Sequence, residues 1–243
     1  MTPGAALAAA QRGHLVENET PRVALALGMA GALGEELMAA LVASPRYRLV
    51  HVALKQAIAS AAAKYRPWVI GASIITADDA YLCVTGPDTR VPRTSPMQPI
   101  DADHIIEAAR IARGAGVRRL VLVAPLSALL QMNAASHTVS SEQELELVAM
   151  QFESLVIVRP TQDELAEGGG PWISRTVRSL GRTVLDIMLP AGVQALRPRT
   201  AALAILTAVE RAGPGVQVIG ARDLLAIVEE TLPSLAPKRP RLR

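Results

Sequence analysis

Apolar positions along the chain fall into short runs, each ended by glycine, proline or charge. Residues 23–27 (VALAL) form a run of strand length, and residues 48–54 (RLVHVAL) form a second. Between them, residues 35–42 carry apolar side chains at helical spacing. Gly28, Gly31 and Gly34 stand between the first run and this helix. Strand, glycine turn, helix and strand make a βαβ unit of about the length that dinucleotide folds use.

The same rhythm continues downstream. Residues 56–64 suit a short helix, 68–73 a strand, and 79–86 a strand ending in a Gly-Pro turn. Four prolines mark residues 87–99 as loop. Residues 100–115 read as a helix with Asp101 as N-cap and Ile105, Ala108, Ala109 and Ala112 on one face. Strands are expected at 120–123, 155–158 and 216–219, and helices at 142–152, 172–188, 201–211 and 221–232. Alternating strands and helices predict an α/β fold, a Rossmann-like doubly wound parallel sheet with right-handed crossovers. One domain is expected over residues 21–236. A flexible leader precedes it (1–20), a small C-terminal substrate region occupies about 161–200, and a basic tail follows (237–243).

Composition narrows the function classes. Half of the residues are hydrophobic but only 2% are aromatic, so Ala, Val, Leu and Ile must build the core. The net charge is +3, and Lys55, Lys64 and Lys238 are the only lysines. That surface does not suit a nucleic-acid partner. The lone Cys83 excludes an intramolecular disulfide and a multi-cysteine metal site, and its apolar neighbours read as a buried strand thiol. No metal ligand set is expected. The longest apolar stretch is interrupted by Glu35 and Glu36, so no membrane span is expected. The alanine-rich start lacks a basic leader, and the expected compartment is the cytoplasm.

The glycine turn is the candidate cofactor site. Gly28, Met29, Ala30, Gly31, Ala32, Leu33 and Gly34 would face a pyrophosphate, with the helix N-terminus supplying N–H groups and partial positive charge. Lys55 closes the second strand where NAD-specific sites usually carry an acid, so NADP(H) is favoured over NAD(H).

Four segments together resemble the atypical short-chain dehydrogenase/reductases, the NAD(P)-binding NmrA-like and Tat-interacting-protein-like branch. They are the GMAGALG turn, residues 81–86, residues 108–123 (AARIARGAGVRRLVLV) and residues 155–160 (LVIVRP). The resemblance implies that Thr85 and Gly86 lie near the nicotinamide ribose. It also implies a catalytic Ser after LVLV and a YxxxK helix start. This chain departs at each place. Ala124-Pro125 follows LVLV, and the YxxxK positions fall on Ser136 and Ser140, counted from either side. The acids beyond are kept in type as Glu142 and Glu144. A serine is less acidic than a phenol and shorter, and Ser140 supplies no ammonium group. His137, Tyr81, Ser127 and Asn133 are the remaining polar candidates.

Three readings follow. The first is a dinucleotide-dependent sensor or partner-binding protein without standard catalysis. The second is an NADPH-dependent oxidoreductase or isomerase with substituted residues. The third is a structural or assembly partner that binds no nucleotide. A homodimer through residues 101–115 and 140–152, or another protein partner, is compatible with all three.

Overall fold

The computed structural model describes residues 20–56, 58, 62–85, 91–127, 141–162 and 196–231. Their elements, in chain order, are β1 (Arg22–Leu27), α1 (Gly31–Ala43), β2 (Tyr47–Ala53), β3 (Tyr65–Trp68) and β4 (Asp79–Cys83). A 3-10 turn (Ala102–His104) leads into α2 (Ile105–Gly114), then β5 (Arg119–Val123), β6 (Leu126–Ser127) and α3 (Ser141–Ala149). The last are β7 (Ser154–Val158), β8 (Thr161–Gln162), α4 (Pro198–Arg211), β9 (Gly215–Ile219) and α5 (Ala221–Thr231).

Seven strands form one sheet in the order β3-β2-β1-β4-β5-β7-β9, and every pairing within it is parallel. β6 and β8 pair separately, also in parallel. Parallel strands covered on both faces need apolar side chains in both directions. Accordingly β4 and β7 are buried at every position. Along β1 the faces alternate. Ala24 and Ala26 join a layer with Leu33, Leu37 and Leu41 of α1 and with Ala201, Ala204, Ile205 and Ala208 of α4. Leu25 and Leu27 join the opposite layer with Ile105, Ala108, Ala109 and Ala112 of α2 and Leu147 of α3. The sheet is therefore wound on both sides, as the alternation of elements predicts. Alanine is frequent where α4 meets α1, and small side chains let the two helices approach closely.

Several boundaries differ from the sequence pattern. The strand expected at 68–73 lies earlier, because Tyr65–Trp68 pairs with β2 and residues 70–72 are turn. Val50 N–H bonds the Lys64 carbonyl, which starts that pairing. The helix expected at 56–64 has no helical residue among those described there, although 57 and 59–61 lie outside them. Asp101 does not cap with its side chain; its carboxylate pairs instead with His104 Nδ1 at 2.5 Å. The leader, residues 163–195 of the expected substrate region with the helix expected at 172–188, and the basic tail lie outside the described residues, while Thr161–Gln162 at the start of that region form β8. No helix among the described residues is long and apolar enough to cross a membrane.

Candidate functional site

The strand order reverses direction at β1. The chain runs outward from β1 through β2 to β3, then returns to β4 on the other side of β1 and continues to β9. In open α/β sheets this switch point leaves a crevice at the carboxyl ends of the strands. The turn from Gly28 to Gly34 lies there, between β1 and α1.

Its geometry explains two of the glycines. Gly28 has φ +69°, and a Cβ there would lie 2.1 Å from the Cys83 carbonyl oxygen. Any side chain would collide with the end of β4. At Gly34 a Cβ would lie 2.7 Å from the Met29 carbonyl carbon, so only glycine lets α1 fold tightly onto the turn. The amino end of α1 has no side-chain cap and no acid in its first turn. Its first N–H groups and positive dipole end are therefore uncompensated by side chains among the described residues, as an anion site requires. Thr85, just beyond β4, adds a buried hydroxyl with no hydrogen-bond partner among the described residues. These features fit a dinucleotide's phosphates and ribose.

The turn is also covered. Gly28, Met29, Ala30, Gly31, Leu33 and Gly34 are buried, and only Ala32 is half-exposed. Part of the cover is residues 95–100, where the sequence pattern predicts loop to residue 99 and a helix from Ile100. Lys55 N–H donates to the Pro96 carbonyl (2.9 Å), and Thr85 N–H donates to the Ile100 carbonyl (2.7 Å). Leu54 bridges to Met97, and the Ile100 Cβ lies 3.3 Å from where a Gly28 Cβ would be. Residues 95–100 thus pass from the end of β2 to the end of β4, across the end of β1. The signal available in the sequence was Met97 and Ile100 among the prolines; both are buried.

Lys55 lies two residues past the end of β2 and is exposed, with Nζ 3.4 Å from the Ser95 carbonyl. Gly86, Asn133, Ser136, His137 and Ser140 lie outside the described residues, as does the side chain of Ser127. Ala124 is buried at the end of β5, where the Ala124 N–H donates to the Val158 carbonyl.

Tyr81 is placed away from this crevice. Its hydroxyl lies 2.8 Å from that of Tyr47, which lies 2.9 Å from Asp79 Oδ2, and the rings meet edge to face. Asp79 and Tyr47 both open their strands, at the amino edge of the sheet. A carboxylate only accepts, so Tyr47 donates to Asp79 and Tyr81 donates to Tyr47. Burial pushes both phenols well above the usual range. Tyr81, a polar candidate on sequence grounds, is a core residue whose hydroxyl is tied into this polar chain at the amino edge of the sheet.

No family model matches the sequence, and no curated protein matches it. Solved structures do resemble the chain. The oxidoreductase YlbE from Lactococcus lactis is 12% identical, covers 89% of this chain and 100% of its own, and has a TM-score of 0.44. A short-chain dehydrogenase from Burkholderia cenocepacia, solved with NADP, is 16% identical, covers 88% and 95%, and has a TM-score of 0.41. The Bordetella bronchiseptica enzyme WbmG, solved with NAD, is 15% identical, covers 89% and 96%, and has a TM-score of 0.37. At these identities and scores the likeness stops short of function.

Proposed function

We propose that the protein binds a nicotinamide dinucleotide at the switch-point turn and acts as a dinucleotide-dependent sensor or partner-binding protein without standard reductase catalysis. The observation that carries this reading is the uncapped amino end of α1 behind Gly28 and Gly34, at the crevice where β1 meets β4. The turn residues 28–34 would cradle the pyrophosphate. Thr85 and Gly86 would meet the nicotinamide ribose. Lys55 would pair with a 2′-phosphate, which favours NADP(H).

Loss of catalysis is supported by Ala124-Pro125 after β5 and by serines at the two YxxxK positions. On α3, Leu145 and Val148 are exposed and supply apolar surface for a protein partner or a second copy. The four matching segments are those of the NmrA-like branch, and the substitutions are where the chain departs from it.

A second reading has its own observation. Residues 95–100 and the buried turn close the crevice, and a protein that keeps its glycines for packing alone would look the same. The two readings part at Lys55. Lys55→Glu should weaken NADPH binding more than NADH binding, by about tenfold for the loss of one charge-assisted contact. Affinities are read by thermal shift against each nucleotide. Equal losses would remove Lys55 from the site, and absence of binding to the unaltered protein would favour the packing role.

A further inference from the structure

The glycine turn lies at the carboxyl edge of the sheet, and a separate cavity lies at the amino edge. β1, β4, β5 and β7 begin there, at Arg22, Asp79, Arg119 and Ser154. These four residues, with Arg118 and Glu153, line a cavity of about 150 Å³. That is room for several waters, or for one tetrahedral oxyanion with part of its hydration.

The charges around it are unequally committed. Asp79 is fully occupied: Arg22 Nη1 reaches its two oxygens at 3.0 and 3.4 Å, and Tyr47 donates to it. Glu153 is exposed to water. Arg118 is more than half exposed and sits 3.7 Å from Asp78, a loose pair. Arg119 is the exception. Its Nε and Nη1 are out of solvent with no hydrogen-bond partner among the described residues. Its Nη2 reaches the Ala212 carbonyl only at 3.5 Å, so the carboxyl end of α4 accounts for one N–H of the guanidinium and no more. Leaving buried guanidinium donors unpaired is costly, and an oxyanion accepts from them with short, charge-assisted bonds.

We propose that this amino-edge cavity binds a phosphate-class oxyanion, held by the guanidinium groups of Arg119 and Arg118. A small rotation of the Arg119 fork presents two parallel donors to two oxygens of one ligand. Ser154 Oγ stands on the wall with its one proton already donated to the Gly213 carbonyl at 3.0 Å, so the arginines alone supply the donors. Glu153 opposes the ligand's charge from the rim. The site goes beyond the dinucleotide reading and stands without it.

The test uses the full chain and inorganic phosphate, titrated at constant ionic strength with chloride as the comparison. Thermal unfolding and the ³¹P line width report binding. A saturable, phosphate-specific rise in Tm is expected, and it should persist when NADPH is at saturation. Arg118→Gln, at an exposed position, should weaken phosphate about tenfold, and Glu153→Gln should tighten it. Arg119→Gln should abolish it, with Arg118→Gln deciding the matter if that variant does not fold. A rise matched by chloride, affinities unchanged in both Arg118→Gln and Glu153→Gln, or competition by NADPH would overturn the proposal. Competition would place the anion at the glycine turn instead.

Discussion

Two constraints meet on Gly28. Its φ of +69° disfavours any L side chain, and a Cβ would lie 2.1 Å from backbone at the end of β4. Gly28→Ala should therefore cost about 3 kcal/mol or more of stability, measured by urea unfolding. A variant as stable as the parent would mean that the turn is not built this way. The polar chain from Tyr81 through Tyr47 to Asp79 gives a second residue-scale prediction. Tyr47→Phe removes a donor from a buried carboxylate and the acceptor from Tyr81, so it should cost about 1–3 kcal/mol. Tyr81→Phe strands no partner and should cost about 1 kcal/mol or less. The reverse order in thermal unfolding would contradict the assigned donor directions. Cys83 was legible as a buried strand thiol from its neighbours alone, and it is buried. Tyr81 was not legible as a core residue, because its partner Tyr47 lies 34 positions away in sequence and meets it only through the order of the strands in the sheet.

At the scale of elements, β2 carries a pH-sensitive side chain. His51 is half-buried and pairs in register with Leu25 on one side and Arg66 on the other. Burial first, and the Arg66 charge second, hold its pKa below the ordinary imidazole value. The unfolded chain then binds the proton more readily than the folded one. Stability should be unaffected above the ordinary imidazole range and should fall as pH drops through it, levelling off below the folded pKa. His51→Gln should flatten that slope in urea midpoints taken between pH 8 and pH 5, a range of about the ordinary imidazole titration. An unchanged slope would place the proton uptake elsewhere. Element type was largely readable here. β1, α1, β2, β4, β5, β7, α4, β9 and α5 all lie where apolar periodicity puts them, within a few residues. β3 was misplaced because Pro67 and the charged Arg66 disguise a strand whose partner, β2, supplies the order. The two-residue β6–β8 pairing was invisible, since nothing so short has a period.

At the scale of the molecule, two edges of one sheet do different things. The carboxyl edge gathers the glycine turn, the uncapped end of α1 and Thr85. The amino edge gathers arginines around Asp79 and a small cavity. The double winding was legible because helices follow β1, precede β5 and β7 and flank β9, and right-handed crossovers leave few alternatives. The course of residues 95–100 over the crevice was not legible. Backbone hydrogen bonds to the ends of β2 and β4 direct it, and no side-chain pattern announces those. The same segment sets the energetic question for the whole protein, since a dinucleotide must displace or share the contacts that Pro96, Met97 and Ile100 make. The most direct measurement is a fluorescence titration of NADPH, and separately NADH, with the purified chain. Saturable binding of both, with NADPH the tighter, is the result expected from the turn and Lys55. No binding of either at concentrations approaching about 1 mM, a Kd weaker than about −4 kcal/mol of binding free energy, would contradict the dinucleotide site and leave the glycines a packing role alone.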